Sequence, residues 1–325
     1  AARLKMPDPS DLFSRRPVPL VTKEKVFQIT GRILADGSQA TPIDEASVLA
    51  AIDGVRAVGG GRFVAYLAGP DAGRRGPLRL VSGDRAAYAD VVVGAADLHH
   101  LETRLLPAEL QSHPSSAWRR RSPGPGAVLA MLGVEGTLPQ LAHHSLFFTS
   151  DWEQNFGDIF GASARVPDPA SIYVCKPSAS DPTVAPAGCE NLFVLVPVPA
   201  DVGIGAGGDD GAGSETVERT VDAAVAEVAA WSGVPDLAER VRVRHTVGPA
   251  DFEQRYNSWR GGALGLEHTL RQSAFLRPGN VSSKVEGLLY AGASTVPGVG
   301  LPMCLISAEL VLKRISGDRS SAPLP

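Results

Sequence analysis

The densest run of chemically suggestive residues lies near the carboxyl end, in GLLYAGASTVPGVGLPMCLISAELVLKRI, residues 287–315. Its first four residues read as an apolar strand and AGASTVPGVG (291–300) as a Gly- and Pro-dense turn. Leu301–Ile315 reads as a helix with Pro302 in its first turn, where proline sacrifices no hydrogen bond. Glycines remove Cβ atoms where a flat or phosphorylated ligand has to touch main chain. A helix start offers unpaired N–H groups and a partial positive charge to an anionic edge. An ordinary strand–turn–helix with a tight bend is equally compatible with this composition, and on composition alone the two readings stand level.

Other constellations say less. GIGAGG (203–208) superficially resembles a dinucleotide fingerprint, but that fingerprint needs a strand directly before it and a helix directly after it. Here Asp209 and Asp210 follow, which would repel a pyrophosphate, so residues 203–213 are expected to be a flexible loop. The pairs His99-His100 and His143-His144 bring no ligand-spaced Asp, Glu or Cys with them. Adjacent side chains diverge on a helix or a strand, so no metal is expected, although one His of each pair could line a pocket. No GxSxG elbow occurs, and Ser294 has no marked His and Asp partners, which argues against a hydrolase. No general acid–base pair stands out, and the catalytic residues stay unassigned.

The elements that must position these residues can be read in outline. Val26–Ile29 and Ala50–Val58 could be short strands or helix pieces, with a turn at Gly59–Gly61. Leu78–Val81 and Ala89–Val93 read as strands joined by a Ser82-Gly83-Asp84 turn, the second within an apolar run that suits a strand buried on both faces. Asp97 is placed to cap a helix running to Leu106, and Pro107 ends it. After a polar, Pro-rich connection (110–126), strands are expected at Ala127–Val134, Ser145–Thr149, Ser171–Cys175 and Asn191–Val198, with a helix at Asp151–Phe160. Val217, Val221, Ala224, Val225 and Val228 form one apolar face of a helix from Glu215 to Trp231, with Ser214 as its start signal and Gly233 as its stop. VRVRHTV (241–247) alternates like a half-exposed strand, Asp251–Trp259 reads as helical, and the last ten residues as disordered. The irregular order of strands and helices fits a mixed α/β or α+β architecture.

Composition bounds the rest. The chain has 325 residues, 31 Lys plus Arg against 35 Asp plus Glu, and a formal net charge of −4. That length is a prior for two domains. No domain-wide basic excess exists to release phosphate counterions, so a nucleic-acid partner is not expected. Three cysteines, at 175, 189 and 304, are too few and too scattered for a disulfide framework or a zinc clamp. The N-terminal stretch is basic and Pro-rich without the apolar core of a secretory signal. Leu288–Ala308 carries no charge over 21 residues, but Gly292, Pro297, Gly298, Gly300 and Pro302 would break a lipid-exposed helix there. A cytoplasmic protein, with loose peripheral membrane contact allowed, is the expectation.

The C-terminal run resembles the flavin motif of the bacterial phytoene desaturase family, within the amine-oxidase-like flavoproteins. YADVVVGAADLHHLETRLLP (88–107), LAHHSLFFTSDWEQNFGDIF (141–160), IYVCKPSASDPTVAPAGCENLFVLVPVPA (172–200) and VGPADFEQRYNSWRGGALGLEHTLRQSAFLRPGN (247–280) follow the family in the same order, so the resemblance covers roughly residues 76–318. It implies FAD as cofactor and an apolar polyene as substrate, desaturated with the flavin as acceptor. Such a substrate has no ionisable group, so specificity would come from an apolar tunnel. A reduced flavin carries negative charge near N1 and the C2 carbonyl, where a helix start would stabilise it.

By this resemblance Gly292, Ala293, Ser294 and Thr295 should lie along the ribityl chain. Pro297, Gly298, Gly300, Leu301 and Pro302 should sit at the ring and helix start, and Gly94, Ala95 and Ala96 at a strand end near the cofactor. Leu264, Gly265 and His268 are candidates for the substrate side, with helix packing an equal alternative. The family opens with a βαβ unit carrying GxGxxG, and residues 1–75 do not align with it. The implied architecture is therefore a partial FAD-binding sheet with a mixed-sheet substrate domain, lacking that unit. A FAD-domain remnant is expected at 1–97, a substrate-binding domain at 98–280, a return to the FAD domain at 281–318 and a tail at 319–325. A truncated desaturase that does not retain its flavin is expected. The alternatives are a carotene isomerase of the same superfamily and a non-catalytic, lipid- or polyene-binding remnant.

Overall fold

The computed structural model describes residues 64–67, 78–82 and 85–322. The elements expected at 26–29 and 50–58, and the turn at 59–61, lie outside them. The chain divides into two compact units, one of residues 1–120 with 273–325 and one of residues 121–272. The boundaries thus fall at 120/121 and 272/273, against the expected 97/98 and 280/281. Residues 98–120 stay with the first unit because they bond to its other segments: Ser112 Oγ lies 2.9 Å from Ser282 Oγ, and the Ser283 N–H donates to Ser112 Oγ at 2.8 Å.

The first unit holds two sheets. β1 (Val64–Leu67), β2 (Leu78–Ser82) and β3 (Arg85–Ala89) form an antiparallel meander. β4 (Val92–Gly94) pairs in parallel with β10 (Leu288–Tyr290). The single strand expected at Ala89–Val93 is therefore two. The chain bends at Asp90, after which the Val92 N–H donates to the Gly287 carbonyl at 2.9 Å and the strand changes partner. An apolar run shows that a strand is buried and is blind to where the ladder switches. Asp97 caps the next helix as expected, its carboxylate accepting from the His100 N–H at 2.9 Å. Only Leu98–His100 is α-helical, and Leu101–Leu105 widens to a π-helix.

The second unit is built on a five-stranded sheet in the order β6-β7-β8-β5-β9, with every neighbouring pair antiparallel. The strands are β5 (Gly126–Glu135), β6 (His144–Phe147), β7 (Ile172–Cys175), β8 (Cys189–Val198) and β9 (Val241–Val247). β5 and β8 pair without interruption from Gly126↔Val198 to Glu135↔Cys189. Alternate residues of both strands are buried, among them Val128, Ala130, Leu132 and Val134 on β5 and Val194 and Val196 on β8. They pack in one core with Val217, Val221, Ala224, Val225 and Val228 of α2 (Glu215–Ser232), the apolar stripe read from the 3.6-residue period. The opposite sheet face carries half-buried Leu129, Met131, Phe193 and Leu195.

The helices follow local signals closely. α1 (Trp152–Phe160) starts at Asp151, whose carboxylate accepts from the Gln154 N–H at 2.8 Å. α2 stops at Gly233 in the left-handed conformation, φ 71°. Ser214 precedes α2 but does not cap it, because its hydroxyl is held by Ala206. α3 (Pro249–Tyr256) ends three residues before the expected Trp259, at a left-handed Asn257. α4 (Leu301–Ser316) closes at Gly317. Beyond it, the carbonyls of Ser320 and Ala322 accept from the Lys313 ammonium, so the described part of the tail is tied back rather than free.

The GIGAGG loop is likewise tied down. The Gly207 N–H donates to the Asp251 carboxylate at 2.7 Å, and the Gly208 N–H to the Thr246 hydroxyl at 2.9 Å. The amides that would cradle a phosphate are spent inside the protein, and the fingerprint reading fails on geometry as it did on context.

Candidate flavin-facing rim

β4 and β10 run side by side in register, Leu288↔Val92, Leu289↔Val93 and Tyr290↔Gly94. The Ala291 N–H then donates to the Gly94 carbonyl at 3.0 Å as the last rung. Both strands release the chain at the same edge, and ligands of open parallel sheets sit outside the carboxyl ends of the strands. Gly94–Ala96 and the 291–302 turn therefore share one rim. Ala95 and Ala96 are exposed there. Gly94 is buried, and a Cβ on it would stand 2.7 Å from a Leu101 methyl. Its small size serves helix–strand packing.

The turn is held from behind by a closed set of hydrogen bonds. Ser307 is 0% exposed on the inner face of α4, and Asn280 and Thr295 are each 1% exposed. The Ser307 hydroxyl accepts from the Gly292 N–H at 3.0 Å and from the Asn280 amide at 3.1 Å. Thr295 Oγ1 donates to the Gly292 carbonyl at 2.9 Å, so Ser307 donates in turn to Thr295 at 3.0 Å. Asn280 also reaches the Tyr290 carbonyl at 3.0 Å, and its own carbonyl accepts from the Tyr290 N–H at 2.9 Å. Every buried polar atom in this knot has a partner, which is the condition for a buried network to stabilise rather than cost. Thr295 was expected to face a ribityl chain, but its hydroxyl points inward and fixes the turn.

The front of the turn is bare at Gly292 and Gly300, whereas Gly298 is buried. Gly292, Gly298 and Gly300 hold φ of +117°, +152° and +109°, values closed to most side chains. A Cβ on Gly292 or Gly300 would meet nothing within 4 Å. Gly300 leads directly into α4, whose first residues, Leu301 and Pro302, are exposed. The Gly292, Thr295 and Val296 N–H groups are spent inside the protein, so the donors left for an electron-rich planar ring edge are those of the 16-residue α4 start behind Gly300, and these fit one edge of a flavin. The outer face of α4 is apolar, with Leu301 79%, Leu305 50% and Ile306 41% exposed.

Charged groups brace the rim. Arg277, almost fully buried, donates from Nη2 to the Ala293 carbonyl at 2.8 Å, and burial lowers its guanidinium pKa. Tyr290 and Glu102 are both fully buried; the phenol donates to the carboxylate, which also accepts from the His113 N–H at 2.9 Å. Burial, with the Glu102 hydrogen bond and charge, pushes the Tyr290 phenol well above its usual range. Burial, with the nearby Arg104 and His100, lowers His99 to about 4, so its imidazole is neutral at physiological pH. None of Asn280, Ser307, Arg277 or Glu102 was singled out from sequence. One signal was available for Ser307, as a hydroxyl inside the apolar stretch of a helix.

Leu264, Gly265 and His268 fall in the second unit. Leu264 and His268 are exposed, and the Gly265 carbonyl accepts from the Gly124 N–H at 2.6 Å. That unit has two clefts of interest. One, of about 520 Å³, has Glu253, Arg260 and Glu267 in its wall. The other, of about 470 Å³, runs along the outer sheet face past Met131, Val184, Pro186, Phe193 and Val243. The first suits a polar ligand and the second an apolar one.

Comparison with known proteins gives the family. Residues 71–315 match the family model described as flavin-containing amine oxidoreductase. A carotenoid 3,4-desaturase of Haloarcula japonica is 42% identical over 241 residues, 74% of this chain and 46% of that protein. A zeta-carotene-forming phytoene desaturase of Myxococcus xanthus is 35% identical over 250 residues, 75% of this chain and 45% of that protein. The chain thus spans about half the length of these curated relatives. An oxidoreductase from Methanosarcina mazei superposes with a TM-score of 0.43 at 13% identity, covering 72% of this chain and 45% of that one. With residues 71–315, most of the chain, matched by that family model, the chain belongs to the flavin-containing amine oxidoreductase family.

Proposed function

We propose that this chain carries the flavin-facing rim and a polyene-binding sheet of a FAD-dependent carotenoid desaturase. The observation that carries the reading is the meeting of Gly94–Ala96 and Gly292–Pro302 at the carboxyl ends of two parallel strands, in front of a helix start. When bound there, FAD would accept the hydride removed from the substrate. The chain's own part is to hold and polarise: the α4 start and the Arg277 guanidinium favour negative charge at the rim, and the Ser307 knot keeps the main chain in place. The mostly half-buried apolar face of Leu129, Met131, Phe193 and Leu195, with its 470 Å³ cleft, supports a substrate without charges. A row of exposed rings, Phe148, Trp152, Phe156 and Phe160, with centroids 4.9, 6.0 and 6.2 Å apart in succession, supports peripheral contact with the lipid in which polyenes dissolve. No helix among the described residues is long and apolar enough to cross a membrane.

The test is titration of the protein with FAD, followed by flavin fluorescence, alongside incubation with FAD and phytoene in phosphatidylcholine vesicles. Weak quenching that saturates in titration but is lost on desalting, a further weakening of at least tenfold in Gly298→Val, and polyene absorption moving to longer wavelength are expected. Quenching that is identical in Gly298→Val would remove the rim as the flavin contact.

A further inference from the structure

The sheet of the second unit brings together three side chains that no part of the flavin reading uses. His143 lies in a bend just before β6, His144 is the first residue of β6, and Cys175 is the last residue of β7. His144 and Cys175 face each other in the β6–β7 register, and the His143 carbonyl accepts from the Lys176 N–H at 2.8 Å. Adjacent residues of one regular strand would diverge. The bend at His143 cancels that divergence, and the two imidazole centroids stand 4.4 Å apart. One ligand atom from each of His143, His144 and Cys175 lies within 4.8 Å of the others.

We propose that these three residues form a transition-metal site, with Zn²⁺ as the ion they suit. Two imidazoles and a thiolate are a borderline-to-soft donor set that selects Zn²⁺ over Mg²⁺ or Ca²⁺. Ligand atoms of a tetrahedral zinc site sit roughly 3.3–3.6 Å apart, given bonds of about 2.0–2.3 Å. Closing from the present separations takes about an ångström, within reach of side-chain rotation on an anchored ladder. Each imidazole also has an oxygen partner. His143 Nδ1 is hydrogen-bonded to the Ser180 hydroxyl, and His144 Nδ1 lies 2.9 Å from the Tyr173 hydroxyl. An Nδ1–H that donates to such an oxygen fixes the ring and leaves Nε2 for an ion. His144 is exposed and the other two half-buried, so water can reach a fourth position. Binding converts the Cys175 thiol to a thiolate, and its proton leaves to solvent.

Cobalt is the reporting probe. Metal-free protein titrated with Co²⁺ should take up one ion per chain, with a thiolate-to-cobalt charge-transfer band in the near ultraviolet that Zn²⁺ abolishes by displacement. Cys175→Ser should remove the band, whereas Cys189→Ser and Cys304→Ser should keep it. His144→Gln should weaken binding at least tenfold, and Tyr173→Phe about tenfold, the scale of an outer-contact loss. A measurement on the unmutated protein guards against misfolding: Zn²⁺ should slow iodoacetamide alkylation of Cys175 at least tenfold and leave Cys189 unchanged. Absence of the band in the unmutated protein, its persistence in Cys175→Ser, or equal alkylation with and without Zn²⁺ would each overturn the site.

Discussion

Replacing Ser307 by alanine tests the claim that the rim is held from behind. The change removes one oxygen from a position with no solvent access, and nothing else of size. Two donors lose their acceptor, the Gly292 N–H at 3.0 Å and the Asn280 amide at 3.1 Å. Their fates differ. The Asn280 Nδ2 has the Val296 carbonyl at 3.3 Å and Thr295 Oγ1 at 3.4 Å to turn to. The Gly292 N–H has no such alternative within the knot and is orphaned. Gly292 is half-buried, so its orphaned N–H falls at the low end of the range of about 1–3 kcal/mol for a buried orphan, and Ser307→Ala should destabilise the first unit by about 1 kcal/mol. At about 2–4 °C per kcal/mol for a chain of this size, the thermal midpoint should fall by roughly 2–4 °C. Amide exchange read by mass spectrometry localises the effect: peptides covering 290–296 should exchange faster, and those covering β5 and β8 should not change. A loss below about 0.5 kcal/mol, the ordinary range for a neutral surface substitution, would refute the argument, as would faster exchange spread evenly over both units.

Two pH-dependent consequences accompany this. The Tyr290 phenol is held protonated by burial and by Glu102, so its folded pKa lies above its unfolded value of about 10. The stability it contributes is intact below pH 10 and is lost as pH rises beyond it; in an ultraviolet titration of the five tyrosines, at least one should ionise only on unfolding, and Tyr290→Phe should delete that late step. Glu190 behaves oppositely: burial alone would raise its carboxyl, but hydrogen bonds from Ser178 and the Leu138 N–H, and the Lys176 ammonium at 3.5 Å, hold it below the usual range. Its stabilisation is present above about pH 4.3, the unfolded value, and fades as pH falls. Urea midpoints of the protein and of Glu190→Gln should therefore differ at pH 7 and converge near pH 3, and a gap that does not change with pH would contradict the pairing.

Much of the local structure could be read from residue order, and the reason is that its causes are local. The α2 stripe from Val217 to Val228, the Asp97 cap and the Gly233 stop depend on neighbours within a turn or two, and each appears where the spacing puts it. The family was also visible in sequence, because several long blocks kept their order and the bare turn at 291–300 kept its glycines. What sequence could not supply depended on partners far along the chain. The break at Asp90 exists because Val92 finds Gly287. Gly94–Ala96 and Gly292–Pro302 become one rim only through the parallel pairing of β4 and β10. Asn280 and Ser307 look ordinary in a string of letters and become the back of the site only when folding buries both against the same turn. His143 and His144 are the sharpest case. Adjacency in a regular strand argues that they diverge, and one bend, with Cys175 delivered opposite by β7, reverses the conclusion. Periodicity and capping act over a few residues and are written in order; the meeting of side chains is set by which strands pair and where the backbone bends, and that is decided only when the whole chain packs.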